Sequence, residues 1–143
     1  MVSHFLFLSH RLCGPLHGLA GTVAFPEPGH SERAIDVTLT AGDVPVTLTG
    51  RVGGVAEDDR NTWTLEGDAG TIRLRDWAIA ERRAPDGTFI PAPDALPNAE
   101  VRPIALRRQL DGVARMTRGE PHHLATLAEA LAVQEVVEGI LAL

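Results

Sequence analysis

Lysine and tyrosine are missing from this 143-residue chain, and cysteine occurs once. All 13 basic residues are arginine, so no Schiff base, P-loop or lysine acid–base chemistry can run on it alone. The lone thiol, Cys13, excludes an internal disulfide and fits a reducing compartment. Long apolar runs are lacking too. Phe5-Leu6-Phe7-Leu8 has no basic residue before it and is broken by Ser9-His10-Arg11. A secretory core needs about 7–15 apolar residues, and nothing approaches the ~20 of a membrane span. Positive charge is sparse: a net charge of −6 argues against nucleic acid or an anionic membrane as partner. These absences together predict a cytoplasmic protein.

What is present is alternation. Thr62–Leu74 holds two alternating runs, Trp63 and Leu65 then Ile72 and Leu74, joined by Glu66-Gly67-Asp68-Ala69-Gly70. Glycine and aspartate tolerate positive φ, so the joint predicts a tight hairpin with its apolar residues on one face. Ala34–Ala41 sets Ile35, Val37 and Leu39 against Asp36, Thr38 and Thr40. After a Gly42-Asp43 turn, Val46–Val52 repeats the pattern, with Val46, Leu48 and Val52 against Thr47, Thr49 and Arg51. Residues 18–25 read as a strand, Pro26 to Arg33 as a polar turn, Gly53–Asp59 as another turn, and Trp77–Arg83 as a further strand.

Helical spacing appears at both ends of the chain. Phe5, Leu8 and Leu12, with Gly14 and Pro15 behind them, predict a short amphipathic helix over 3–13. Residues 84–103 hold five prolines, which predicts a long irregular loop of the kind that binds or covers. Ile104–Arg118 carries Leu106, Leu110, Val113 and Thr117 on one stripe and stops at Gly119. Thr126-Leu127-Ala128-Glu129 is a capping box that opens a helix to about Leu141, with Ala130, Val133, Val137 and Ile140 inward. Strands followed by helices predict one α+β domain, an open and mainly antiparallel sheet with helices packed on one face.

The opposite sheet face would carry Thr38, Thr40, Thr47, Thr49 and Arg51. Such a face is either solvated or packs flat on a second sheet, and the latter gives a homodimer. No metal site is expected. His122-His123 are adjacent and point apart, and His10 and His17 complete no zinc-like spacing. Glu57-Asp58-Asp59 reads as a solvated turn, Trp63 and Trp77 as core, and Cys13 as a small buried apolar group. No Ser/Cys–His–acid signature and no carboxylate pair at helical spacing supports a hydrolase.

Three segments, in order, carry a family resemblance. Ser3-His4-Phe5-Leu6 with Leu12-Cys13-Gly14 is similar to a helix of the form G-x-H-x-x-D-x-x-x-x-L-x-G. Trp63–Ile72 is similar to an "EGTKGTL" hairpin, and Leu127–Leu141 to a closing "DALRVLEVIEAIL" helix. The chain thereby resembles the C-terminal domain of the glucose–fructose oxidoreductase / inositol dehydrogenase family (Gfo/Idh/MocA). The resemblance implies a substrate-binding and dimerisation domain of an NAD(P)-dependent oxidoreductase acting on sugars or polyols. It implies His4 as the residue that exchanges a proton with a substrate hydroxyl.

Departures from the pattern set limits. Phe7 stands where the family has an aspartate, the family's E-K-P lysine has no counterpart, and no G-x-G-x-x-G loop in a βαβ setting is present. The expectation is a chain that begins partway through the second domain, binds no NAD(P) by itself and is not catalytic alone. A stand-alone module that binds a carbohydrate-like ligand or another subunit is the alternative.

Overall fold

The computed structural model describes residues 2–53 and 61–143. The turn expected at Gly53–Asp59, with Glu57, Asp58 and Asp59, lies outside the described residues except for Gly53. Helix α1 spans Ser3–Cys13 and is followed by strands β1 (Leu16–Ala24), β2 (Ala34–Ala41) and β3 (Val44–Arg51). Next come β4 (Thr62–Gly67), β5 (Gly70–Arg75), β6 (Ile79–Arg83) and β7 (Phe89–Pro91). Helices α2 (Asn98–Thr117) and α3 (Leu127–Leu141) close the chain. The class is α+β, and the antiparallel strands are divided between two sheets, β1-β2-β3 and β4-β5-β6-β7. Each sheet is a meander of sequence neighbours. Alternation specifies strands and hairpins, but nothing in it says which hairpins share a sheet.

Two units follow from this division: residues 1–54 with 125–143, and residues 55–124. In the first, α1 and α3 pack on each other and on the same sheet face. Ile35, Val37 and Leu39 point inward from β2 and meet Leu6 of α1 with Val133 and Ile140 of α3, and Ala41 is buried at the end of the same strand. Each of these side chains is at most 7 % exposed. The period of two on the strand and of 3.6 on the helices meets in one core, at roughly 1.5–3 kcal/mol per large side chain fully buried. On the outer face Thr38, Thr47, Thr49 and Arg51 are exposed and Thr40 is half-buried, the solvated option for this face in the single chain. Ala130, expected inward, is exposed in the first turn of α3.

The second unit is a four-stranded meander. Trp63 pairs with Leu74 and Leu65 with Ile72, the cross-strand contacts expected of the hairpin. Trp77 does not begin a strand. Asp76 and Trp77 sit at φ of 49° and 68° in the turn between β5 and β6, held by the Asp76 and Trp77 amides donating to Asn61. The proline-rich stretch 84–103 is more ordered than its composition suggests. It contains β7, an edge strand that tolerates Pro91 because an edge amide needs no partner. It also contains the start of α2, six residues before the expected helix. Pro97 O accepts from the Glu100 and Val101 amides, and Pro103 inside the helix costs one ladder bond. The stripe expected to bury α2 does not do so. Leu106, Leu110 and Val113 are 56, 60 and 42 % exposed, and no residue of α2 is buried.

Candidate functional site

His4 stands exposed in the first turn of α1. The helix beneath it is fixed at several points. Leu6 is 2 % exposed in the core, and the Ser9 hydroxyl donates to Phe5 O at 2.9 Å. At the other end Arg11 crosses to α3, its Nε and Nη2 donating to the two carboxylate oxygens of Glu129 at 2.9 and 3.3 Å. The same guanidinium lies 4.9 Å from the centre of the Phe7 ring. Phe7 therefore serves as an arginine platform and as packing for the core.

Glu129 does two things at once. It is the third residue of α3, and its carboxylate accepts from the Thr126 amide at 2.7 Å while its own amide donates to Thr126 Oγ1 at 3.2 Å. This is the capping box read from the sequence. Arg11, with the Thr126 amide and hydroxyl behind it, holds the Glu129 carboxyl at about 2, well under its ordinary 4.5. A carboxyl depressed in the folded state stabilises that state fully above its unfolded value and loses the contribution as pH falls through its folded value. Melting temperature is thus expected to fall as pH drops from about 5 towards 2. Glu129→Gln is expected to flatten that fall, measured by circular dichroism melts across the range.

Each of four other histidines has its own surroundings. His17 Nε2 lies 3.0 Å from Gly42 O, and His30 Nε2 lies 3.9 Å from Glu27 Oε2 in an exposed turn. His122 Nδ1 accepts from the Leu124 amide at 3.3 Å, and His10 Nδ1 is enclosed without a hydrogen-bond partner. Among the described residues no three His, Cys, Asp or Glu side chains come together in a way that could hold a metal ion. Cys13 is half-buried at the end of α1. A shallow cleft of about 480 Å³ lies along the turn after β1, lined by Pro26, Gly29, His30, Ser31, Glu32, Arg33 and Val52. His4 is not among its residues.

Sequence reasoning missed one cluster altogether. On one face of the four-stranded sheet, Glu81 of β6 is 6 % exposed and accepts from Arg73 Nε at 2.6 Å and Arg75 Nε at 3.2 Å. Arg75 Nη1 also donates to Asp76 at 2.6 Å, and the Arg73 guanidinium covers the Phe89 ring at 3.7 Å from its centre. Burial pushes the Glu81 carboxyl up, but the hydrogen bonds and charges of Arg73 and Arg75 outweigh it, so it lies below the ordinary carboxylate range. Its buried charge is matched, as a carboxylate taken from water requires. Alternation alone could have placed Arg73, Arg75 and Glu81 on one face; only the register shows that Arg73 and Glu81 are directly opposite. The arrangement ties β5 to β6 and keeps two guanidinium groups in fixed positions at the surface.

Comparison of the chain with family models, curated proteins and solved structures returned no match.

Proposed function

We propose that this chain is the substrate-binding and dimerisation half of a Gfo/Idh/MocA-type oxidoreductase acting on sugars or polyols, working in the cytoplasm with NAD(P) held by a separate nucleotide-binding domain. The carrying observation is His4. It sits exposed on a helix whose position is fixed by a core leucine and by the Arg11–Glu129 fork, the setting a proton-exchanging side chain needs. The order of elements supports the reading: an N-terminal helix, the Thr62–Arg75 hairpin and a capped closing helix. The strand pairs described are all antiparallel, whereas a dinucleotide fold needs a parallel βαβ unit to place pyrophosphate at a helix N-terminus. In the homodimer the threonine face of β2 and β3 would meet its copy.

The reading predicts that polyols or sugar acids protect the chain against thermal unfolding, and that His4→Ala removes the protection while leaving the unliganded melting temperature within about 1 °C. Fluorescence-monitored melts over a ligand series test it. No protection by any sugar-like ligand would count against the proposal, and NAD(P)H turnover by the isolated chain would overturn it. A second reading, a stand-alone subunit-interaction module, is favoured by the exposed apolar stripe of α2. Co-purification with a nucleotide-binding protein separates a partner-dependent enzyme from such a module.

A further inference from the structure

The arginine cluster of the four-stranded sheet holds more donors than its own carboxylates use. Arg73 of β5 lies directly across from Glu81 of β6 and, on its other side, from Thr64 of β4. Arg83 of β6 pairs with Phe89 of β7. Directly paired residues project from one face of a sheet, and so do residues two apart on a strand. Thr64, Arg73, Arg75, Glu81, Arg83 and Phe89 therefore share a face, and all of them belong to the unit of residues 55–124.

An arginine side chain carries five N–H donors in a planar fork and no acceptor. Glu81 takes the Nε of Arg73 and the Nε of Arg75, and Asp76 takes Nη1 of Arg75. Among the described residues no other acceptor meets either guanidinium, so Nη1 and Nη2 of Arg73 and Nη2 of Arg75 are left over. The two groups are held in place. Their side chains are 24 and 37 % exposed, Glu81 is buried, and the Arg73 guanidinium is stacked on the Phe89 ring. A guanidinium gripped at Nε presents its Nη edge, which can receive a carboxylate or phosphate through two parallel bonds. Little freedom remains for a ligand to remove on binding.

Charge favours an anion as well. Glu81 and Asp76 offset Arg73 and Arg75, but Arg83 makes no ion pair among the described residues and adds a positive charge to the same face. It stands two residues from Glu81, about 7 Å along the strand and inside the ~10 Å over which charge acts at 0.1 M salt. The Thr64 hydroxyl is exposed and has no hydrogen-bond partner among the described residues.

We propose that Arg73 and Arg75 form a binding site for a small oxyanion, a carboxylate or phosphate carried on a hydroxylated molecule. Arg83 adds attraction, Thr64 offers a contact to a ligand hydroxyl, and Glu81 is the positioning residue that turns both forks outward. The site lies within one unit and stands without His4 and without the redox reading.

Isothermal titration calorimetry of the full chain at low ionic strength tests it, with gluconate and inorganic phosphate as probes and glucitol as the neutral control. Gluconate is expected to bind and glucitol not, with affinity falling as sodium chloride is added. Binding of phosphate in place of gluconate also supports the site and picks the tetrahedral anion over the planar one. Arg73→Lys keeps a positive charge beside Glu81 but loses the fork, and affinity should fall about tenfold. Arg83→Gln touches neither carboxylate and should weaken binding about threefold at low salt. Circular dichroism melts confirm that each variant folds. Should Arg73→Lys fail to fold, Arg73→Met combined with Glu81→Met removes the buried carboxylate with its partner, and should abolish binding. His4→Ala should leave the affinity unchanged, and a loss there overturns the assignment to this face. Binding of neither anion overturns the inference, as it would if an acidic side chain of the chain itself filled the fork. Equal affinity in Arg73→Lys and wild type overturns it too, and so does glucitol binding as tightly as gluconate.

Discussion

Alanine at Gly21 is expected to unfold the three-stranded unit. Gly21 is in β1 at φ +142°, opposite Val37 of β2. A Cβ there would run into Asp36 O and would lie 2.6 Å from Val37 Cα and 3.0 Å from Val37 Cγ1. The first two are backbone atoms, so no side-chain rotation relieves the clash; the strands must part. Val37 is 1 % exposed at the centre of the core, which makes parting expensive. Strain at positive φ adds to the overlap, for an expected loss of about 3–5 kcal/mol. Gly29→Ala is the matched control. It has φ +82° but nothing within 4 Å of the added carbon, and only the backbone term of about 1 kcal/mol should appear. Urea titration of the two variants, followed by far-ultraviolet circular dichroism, separates a packing clash from a generic loss of glycine. Equal effects at the two positions would contradict the close approach of β1 and β2.

Leu6→Ala is the second large effect. Leu6 is 2 % exposed and is the main side chain by which α1 enters the core shared by β2 and α3. Truncating a leucine in such a place costs the lost burial plus the cavity left behind, about 3 kcal/mol. The Arg11–Glu129 fork is partly exposed, at 35 and 24 % of the two side chains, and cannot replace that anchor. His4 is carried on the same helix. The expected pattern is therefore a destabilised first unit together with loss of any polyol protection, even at temperatures where most of the chain remains folded. A Leu6→Ala variant that kept full ligand protection at such a temperature would separate His4 from binding.

Much of the fold was legible because local chemistry and periodicity agreed. The helix of residues 3–13, the strict alternation of Ala34–Ala41, the glycine–aspartate hairpin and the Thr126–Glu129 box each name one structure and no other. Three features were not legible, each for a physical reason. Pro103 reads as a helix breaker, yet one missing amide in a helix of 20 residues is a tolerable loss once Pro97 O accepts from two amides at the start. Asp76 and Trp77 carry no glycine to announce positive φ; Asn61, distant in sequence, fixes that turn. The α2 stripe has the right period for burial, and period says that a helix wants cover without saying whose. His4 is singled out by residue type and position alone. The Arg73–Glu81–Arg75 cluster needed strand register, which only three-dimensional pairing supplies.

The nesting of one unit inside the other has a consequence for synthesis. Strands β1 to β3 leave the ribosome before α3, with Val37 and Leu39 already aligned on the face that α3 later covers. The helix bearing Val133 and Ile140 emerges only after the 70 residues of Val55–Leu124. At ~5–20 residues per second that interval is roughly 4–14 s, far longer than a hairpin takes to form. For those seconds the nascent sheet holds a greasy surface open to whatever else passes, and the yield of native chain should rise when translation is fast or a chaperone stands in for the missing helix.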